Sequence, residues 1–395
     1  VNLRERSPAP WAFLVVAAAL ILTVWLSSEH LTHREQGLQP RATTLRHGDD
    51  VLGPWLYWDT KYYVDIAEHG YTEADVEVFR SGGETTVAFF PLYPAAVRSV
   101  AVVVGETGPA LQLVTFACGL ALSVVLYGWF RARVGRSAAG WALAAILLFP
   151  WSFFLVAAGY PEALFLLLAV SAFVLVERDR PLLAGVVGTF AALTRVVGVG
   201  VVVGLAVRIV ERRGALSFDG WRPRLDRTRL QRGDWGVLLA GSGLAIWMAF
   251  CWVRYGDPLA FSTAQRGWSQ GFGPRSWFKL GLIDQLGNNA DRFFVLRLLL
   301  QGAVLLLFCA AIPAVWRRFG AGYGSYTLMV LALPMLGSAN FASSGRFVVM
   351  AFPTFALIGE RLADQPARAA RLALGASGVL LLIVTSFWGR GYWMA

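Results

Sequence analysis

The sequence predicts an all-α, polytopic membrane protein, and three observations predict it. Hydrophobic residues fill 56% of the 395 positions against 15% charged, and the mean hydropathy is +0.55. A soluble chain of this length needs more polar surface than that to cover its core. The apolar residues also come in blocks of about twenty, the number a helix needs to cross ~30 Å of hydrocarbon. Finally, the arginines gather in short stretches between those blocks, as they do in cytoplasmic loops.

That distribution decides what the net charge of +10 means. Basic charge spread over the loops between spans points to membrane lipids as surroundings and to no nucleic acid. The chain carries 16 Trp and 11 Tyr, which suits a protein with two membrane–water interfaces to anchor. Cys118, Cys251 and Cys309 all fall inside apolar blocks without CxxC spacing, so neither a disulfide framework nor a zinc site is implied.

Arg4 and Arg6 precede the first apolar block and place the N-terminus in the cytoplasm. Residues 11–27 read as the first membrane helix rather than a cleaved leader. Ser27, Ser28 and Glu29 do not make a small-x-small cleavage site, and many spans follow. Residues 28–107 form the first external loop. Its stretch 28–88 is the longest polar segment, with all four histidines (His30, His33, His47, His69) and eleven acidic residues. Residues 89–104 are short and interrupted by Pro91, Pro94 and Arg98, which predicts an interfacial segment and a cytoplasmic loop at Arg131, Arg133 and Arg136.

The spans then alternate over 108–130, 138–156 and 162–177. Residues 182–211 must cross and return, which predicts two short or broken helices meeting near Thr194–Arg195. A basic loop, 212–233, holds seven arginines ahead of a span at 235–254. A second external loop covers 255–292. Spans at 293–316, 322–340, 345–361 and 371–388 complete about eleven crossings in one membrane-embedded domain over 1–395. Gly200 and Gly204 form a GxxxG, read as close helix packing.

The candidates for chemistry lie on the external side. Residues 58–71, WDTKYYVDIAEHGY, read as a short amphipathic helix from Thr60, with Tyr62, Tyr63, Ile66 and Ala67 on one face. Gly70 suits the position just past its end. Asp59 occupies the N-cap position, a role worth ~1 kcal/mol. The alternative is a carboxylate held at the membrane surface to take a proton from an acceptor hydroxyl. Asp65, six residues on, reads as a structural or solvated residue.

In AFFPLYP, 88–94, Tyr93 is either an interfacial anchor or part of a wall for a polyprenyl chain or sugar ring. Pro161 and Glu162, after Tyr160, suit the first turn of a helix, where the macrodipole favours a carboxylate. Glu162 is equally placed to hold a sugar hydroxyl. Arg195 and Arg346 lie near the external ends of apolar blocks, against the positive-inside trend. They match the geometry of a lipid phosphate or else snorkel to the headgroups.

Taken together these segments resemble the PIG-V-type mannosyltransferase family of the GT-C superfamily of membrane glycosyltransferases. The resemblance runs through WDTKYYVDIAEHGY, AFFPLYP, YPEALF at 160–165, LTRVVG at 193–198, YGDPLAF at 255–261 and GRFVVMAFP at 345–353, in that order. It implies a GT-C glycosyltransferase fold with its site at the outer membrane face beside the first external loop. It implies a polyprenyl-phosphate sugar donor, with mannose as the transferred sugar and a lipid or glycan as acceptor. Asp59 matches the general base of that loop, while Lys61 and Tyr62 depart from the pattern that follows it.

The expected reaction is a single inverting displacement. Asp59 is its base, Arg195 and Arg346 face the departing phosphate, and Trp58, Tyr62, Tyr93, Tyr160 and Glu162 contact substrate. No cofactor is expected; a divalent metal is compatible but not indicated, and His30 and His33 read as solvated. A transporter or flippase of a lipid-linked sugar is the alternative reading, since it too needs many spans and an arginine for phosphate.

Overall fold

The computed structural model describes residues 7–32, 51–219, 222–268, 270–287 and 291–394. Arg4, Arg6, His33 and His47 lie outside the described residues. In chain order the first helices are α1 (Ala9–His30), α2 (Thr60–His69), α3 (Glu73–Ser81), α4 (Leu92–Val104), α5 (Thr107–Leu147) and α6 (Phe153–Val156). Then come α7 (Glu162–Glu177), α8 (Pro181–Thr194), α9 (Gly198–Arg212), and a hairpin of β1 (Leu216–Asp219) and β2 (Arg222–Leu225). A 3-10 segment, Arg232–Leu239, runs into α10 (Ala240–Tyr255), followed by α11 (Ala260–Thr263), α12 (Pro274–Trp277) and α13 (Leu280–Gly287). The series closes with α14 (Arg292–Phe319), α15 (Ala321–Gly337), α16 (Ser344–Val349), α17 (Phe352–Ala363) and α18 (Ala367–Gly389).

Among the described residues five helical stretches are long and apolar enough to cross a membrane: Ala9–His30, Thr107–Leu147, Arg232–Tyr255, Arg292–Phe319 and Ala367–Gly389. The chain is therefore read as an all-α integral membrane protein. The expected crossings at 162–177, 182–211, 322–340 and 345–361 fall on helices of 17 residues or fewer. Helix length by itself thus supports five of the expected spans. The break at Arg195–Val197 falls where two short helices are expected to meet, whereas the break at Met350–Ala351 divides a run expected to be one span.

The α5 range holds two helices joined at Gly135, whose φ 80° and ψ 174° are non-helical, so the chain breaks among Arg131, Arg133 and Arg136, where the turn between two apolar blocks is expected. Two further differences have local causes. The span expected over 138–156 ends at Leu147, just ahead of Pro150, and resumes only as the single turn of α6. The basic loop contains an antiparallel ribbon, in the register Leu216↔Leu225 to Asp219↔Arg222, where only loop is expected. The segment at 89–104 behaves as its prolines suggest. Its α4 has 13 residues, roughly 20 Å of helix, which is short of a bilayer core.

The chain divides into two compact units, residues 1–167 with 355–395, and residues 168–354. In the first, α1 packs on α5 and α18, and α2 and α4 pack on each other and on α5. Its core is aromatic: Trp55, Trp151, Trp388, Tyr93, Tyr160, Phe13, Phe130, Phe153 and Phe154 are fully buried. Such rings bury the most apolar area per residue.

In the second unit α9 packs on α15, α10 on α8, and α14 on α15. Small residues permit the approach. A Cβ on Gly204 would meet the Phe173 ring at 2.7 Å and Tyr326 Cβ at 2.9 Å, the close packing expected of the GxxxG. One end of this unit is tied by ions. Glu177 accepts from Arg208 Nε at 2.7 Å, from Arg212 Nη1 at 2.6 Å and from the Tyr323 hydroxyl at 3.1 Å. Glu211 bonds Arg208 Nη1 at 2.7 Å and accepts the Ala321 N–H at 2.8 Å, so it closes the head of α15.

Candidate functional site

In the first unit the site begins with backbone strain. Gly53–Trp55 form a buried 3-10 turn, and the chain then passes through Trp58 at φ 65° before α2 starts. A left-handed conformation on a bulky aromatic costs about 1–3 kcal/mol and persists only where the surroundings enforce it. Three hydrogen bonds enforce it here. The Asp59 N–H donates to the Tyr160 hydroxyl at 3.1 Å, and that hydroxyl donates to the Tyr57 carbonyl at 3.4 Å. Thr60 Oγ1 donates to the same carbonyl at 3.0 Å.

The turn changes the role of Asp59. An N-cap residue sits in the β region, from which its side chain reaches the free amides of the first turn. Asp59 instead has φ −64° and ψ −14°, and its side chain makes no capping hydrogen bond. Helix capping is therefore ruled out as its function. Its half-buried carboxylate stands at the head of α2, within electrostatic range of the Tyr62 hydroxyl. Asp65, by contrast, bonds His69 Nδ1 at 3.0 Å on an exposed face, and Gly70 ends the helix at φ 76° as expected.

Around Asp59 the other first-unit candidates gather in one aromatic cluster. Tyr62 stacks on Phe89 at 4.7 Å and donates to Glu84. Burial, then that hydrogen bond, holds its phenol far above the usual tyrosine range, so it remains a donor. Lys61 Nζ lies over the Tyr62 ring at 4.7 Å and 3.9 Å from Glu84. Lys61 and Tyr62 thus form a small cluster with Glu84.

Tyr93 is fully buried. Its hydroxyl lies 3.1 Å from the Leu111 carbonyl and 2.8 Å from the Thr115 hydroxyl, which donates to the Tyr160 carbonyl at 3.2 Å. Tyr160 is buried as well. Both tyrosines are placed to position Asp59 through this chain of bonds, and neither presents surface to a ligand here. Glu162, the first residue of α7, is fully enclosed and lies within electrostatic range of the Tyr93 hydroxyl.

The sequence reading omits one part of this cluster. Beyond α18, Trp393 lies edge-on to Trp58 at 5.3 Å, and Trp388 packs on Tyr160 at 5.6 Å. Their only signal in the sequence is a run of aromatics after an apolar block.

In the second unit Arg195 occupies the break between α8 and α9 in an extended conformation, φ −160° and ψ 155°. The break is tight, since a Cβ on Gly198 would fall 2.4 Å from Ala192 Cα. The guanidinium lies over the Phe347 ring at 5.2 Å, which brings Arg195 beside the helix that carries Arg346. Arg346 reaches Ser343 Oγ at 3.5 Å. It follows two left-handed residues, Phe341 and Ser343, both at φ 66°.

Two further cations of this unit went unread. Arg297 is 7% exposed on α14, one turn before Gln301, which accepts the Gly345 N–H at 3.4 Å. Lys279 donates to the carbonyls of Met335 at 2.6 Å and Ser338 at 2.7 Å, closing the C-terminal end of α15. Burial lowers its ammonium to about 8. Among the described residues no group of three or more His, Cys, Asp or Glu stands together as a metal site; His30 is exposed at the end of α1.

No family model and no curated protein matches the chain. Among solved structures it is similar to ArnT from Cupriavidus metallidurans bound to undecaprenyl phosphate, at 16% identity and TM-score 0.49, over 94% of this chain and 63% of that one. It is similar also to the Archaeoglobus fulgidus oligosaccharyltransferase in complex with zinc and sulfate, at 16% identity and TM-score 0.46, over 95% of this chain and 53% of that one. ArnT in its apo state aligns at 14% identity and TM-score 0.46, over 96% and 74%. The chain thus spans less than two thirds of the length of the first two.

Proposed function

We propose that this chain is a membrane glycosyltransferase of the GT-C type, moving a sugar, mannose first among candidates, from a polyprenyl-phosphate donor to an acceptor hydroxyl on the outer membrane face. The observation that carries the reading is the release of Asp59 from helix capping. A strained tryptophan and a buried tyrosine hold its backbone so that the carboxylate heads α2 without bonding α2's amides. A carboxylate kept partly exposed in an apolar, aromatic setting, and not engaged in capping its own helix, suits proton abstraction.

In the proposed reaction the acceptor oxygen attacks the anomeric carbon as its proton passes to Asp59. The bond from that carbon to the phosphate oxygen breaks, and the lipid phosphate departs with the electron pair. Arg195 and Arg346 are assigned to the charge on that phosphate, and Arg297 is a third candidate on its burial. Trp58 and Tyr62 are assigned to substrate contact. Tyr93, Tyr160 and Glu162, being enclosed, are assigned to positioning.

Transfer from synthetic polyprenyl-phosphate mannose by purified protein, comparing wild type with Asp59→Asn, tests the reading. Turnover by wild type and its loss in a variant that still folds and binds donor is the expected result. Equal rates remove Asp59 as base. Silence of the wild type across several sugars, with candidate acceptors supplied, favours the flippase.

A further inference from the structure

We infer that Trp58 and Trp393 form an aromatic wall that stacks a pyranose ring beside Asp59. This rests on the glycosyltransferase reading and adds to it a residue far from the first loop in sequence. The wall has two halves, each held by its own device. Trp58 is turned by its left-handed backbone, which the bonds at Tyr57, Asp59 and Thr60 maintain.

Trp393 is carried on a hook. Past α18 the chain passes through Gly391 at φ 80°, and the Tyr392 N–H returns to the Phe387 carbonyl at 3.0 Å. The residue on the other side is fastened too, for the buried Trp151 indole N–H donates to the Met394 carbonyl at 2.8 Å. Trp393 is thus braced from both neighbours while its own ring stays half-exposed.

A residue recruited only for packing would be buried, as Trp388 is. The Trp58 and Trp393 rings instead meet at 5.3 Å and 63° with both only half-buried, which leaves aromatic surface next to the candidate base. A sugar ring laid on the exposed faces of these two indoles would cover them with its own apolar face.

The test is equilibrium binding to the full chain in detergent, using three probes: undecaprenyl-phosphate mannose, undecaprenyl phosphate, and methyl α-mannoside. Wild type should bind the mannosyl lipid more tightly than the bare lipid phosphate, or bind the methyl glycoside, or both. Trp393→Ala should remove about tenfold of that sugar-dependent affinity, roughly 1.4 kcal/mol, and leave the bare lipid phosphate unaffected. Trp393→Phe should restore most of it.

Loss confined to the mannosyl lipid assigns the wall to the donor sugar, and loss confined to the glycoside assigns it to the acceptor. Equal weakening of both lipids makes Trp393 a structural brace and overturns the inference, as does unchanged binding of all three probes. A wild type that ignores the sugar altogether overturns the glycosyltransferase reading itself, and the wall with it.

Discussion

The Tyr160 hydroxyl accepts the backbone N–H of Asp59 at 3.1 Å across 101 residues of sequence. Through Thr115, which donates to its carbonyl, the same tyrosine is tied to Tyr93. The consequence is conformational. With Tyr57, Trp58 and Asp59 held in this path, α2 starts without a side-chain cap.

Tyr160→Phe should therefore loosen the turn without emptying the core. It removes one acceptor and one donor from buried backbone groups, a loss of about 1–2 kcal/mol. Thermal unfolding in detergent should show a modest fall in midpoint, and transfer activity should fall further than donor affinity does.

Asp59→Ala should abolish transfer without unfastening the first turn of α2. Removing a true N-cap costs about 0.5–2 kcal/mol, whereas the Asp59 side chain makes no capping bond. Unchanged amide exchange at Lys61, Tyr62 and Tyr63, with transfer abolished, is the expected pair of results. Faster exchange at those amides would return Asp59 to capping.

Lys279 makes stability depend on pH. Burial lowers its folded value to about 8 from the ordinary 10.5. Between those values the unfolded chain binds the proton and the folded chain does not, so this group's contribution rises with pH across the window and is lost as pH falls through 8. Lys279→Met should abolish that slope. It should also lower the midpoint at every pH, because the last carbonyls of α15 lose their donor.

Glu177→Gln should be among the more damaging single changes. Arg208 and Arg212 would face a neutral amide in a cluster where the Arg208 side chain is only 11% exposed. Breaking such a pair from one side costs about 3 kcal/mol. A melting point lowered by several degrees, recovered in part by Glu177→Asp, is the expected outcome.

Gly204→Leu should separate α9 from α15. The first added atom would already sit 2.7 Å from the Phe173 ring, and overpacking of this kind costs about 1–3 kcal/mol. Reduced folded yield in detergent should accompany it, whereas the same change at Gly241, whose Cβ would meet only Val202 at 3.7 Å, should be tolerated.

Much of this was written in local sequence. Apolar blocks of sufficient length determined the membrane-crossing helices of α1, α5, α10, α14 and α18. The need to turn within thirty residues placed a break at Arg195, and residues 58–71 determined α2 and the glycine that ends it. These follow from hydropathy, periodicity and backbone propensity, which act over a few turns of chain. The arginines at 131–136 likewise marked the break at Gly135, whereas the division of 345–361 escaped, because an apolar run does not show where a helix breaks inside it.

The site itself was decided by tertiary structure. Sequence identified Asp59, and on local rules it looked like a cap; only the bond from Tyr160 and the left-handed turn at Trp58 show otherwise. Sequence likewise offered Tyr93, Tyr160 and Glu162 as candidates for substrate contact, while packing encloses them, and it held no hint that Trp393 returns to Trp58. The reason is physical: a residue's preferences are set by its neighbours in the chain, but its burial and its hydrogen-bond partners are set by segments a hundred or more positions away.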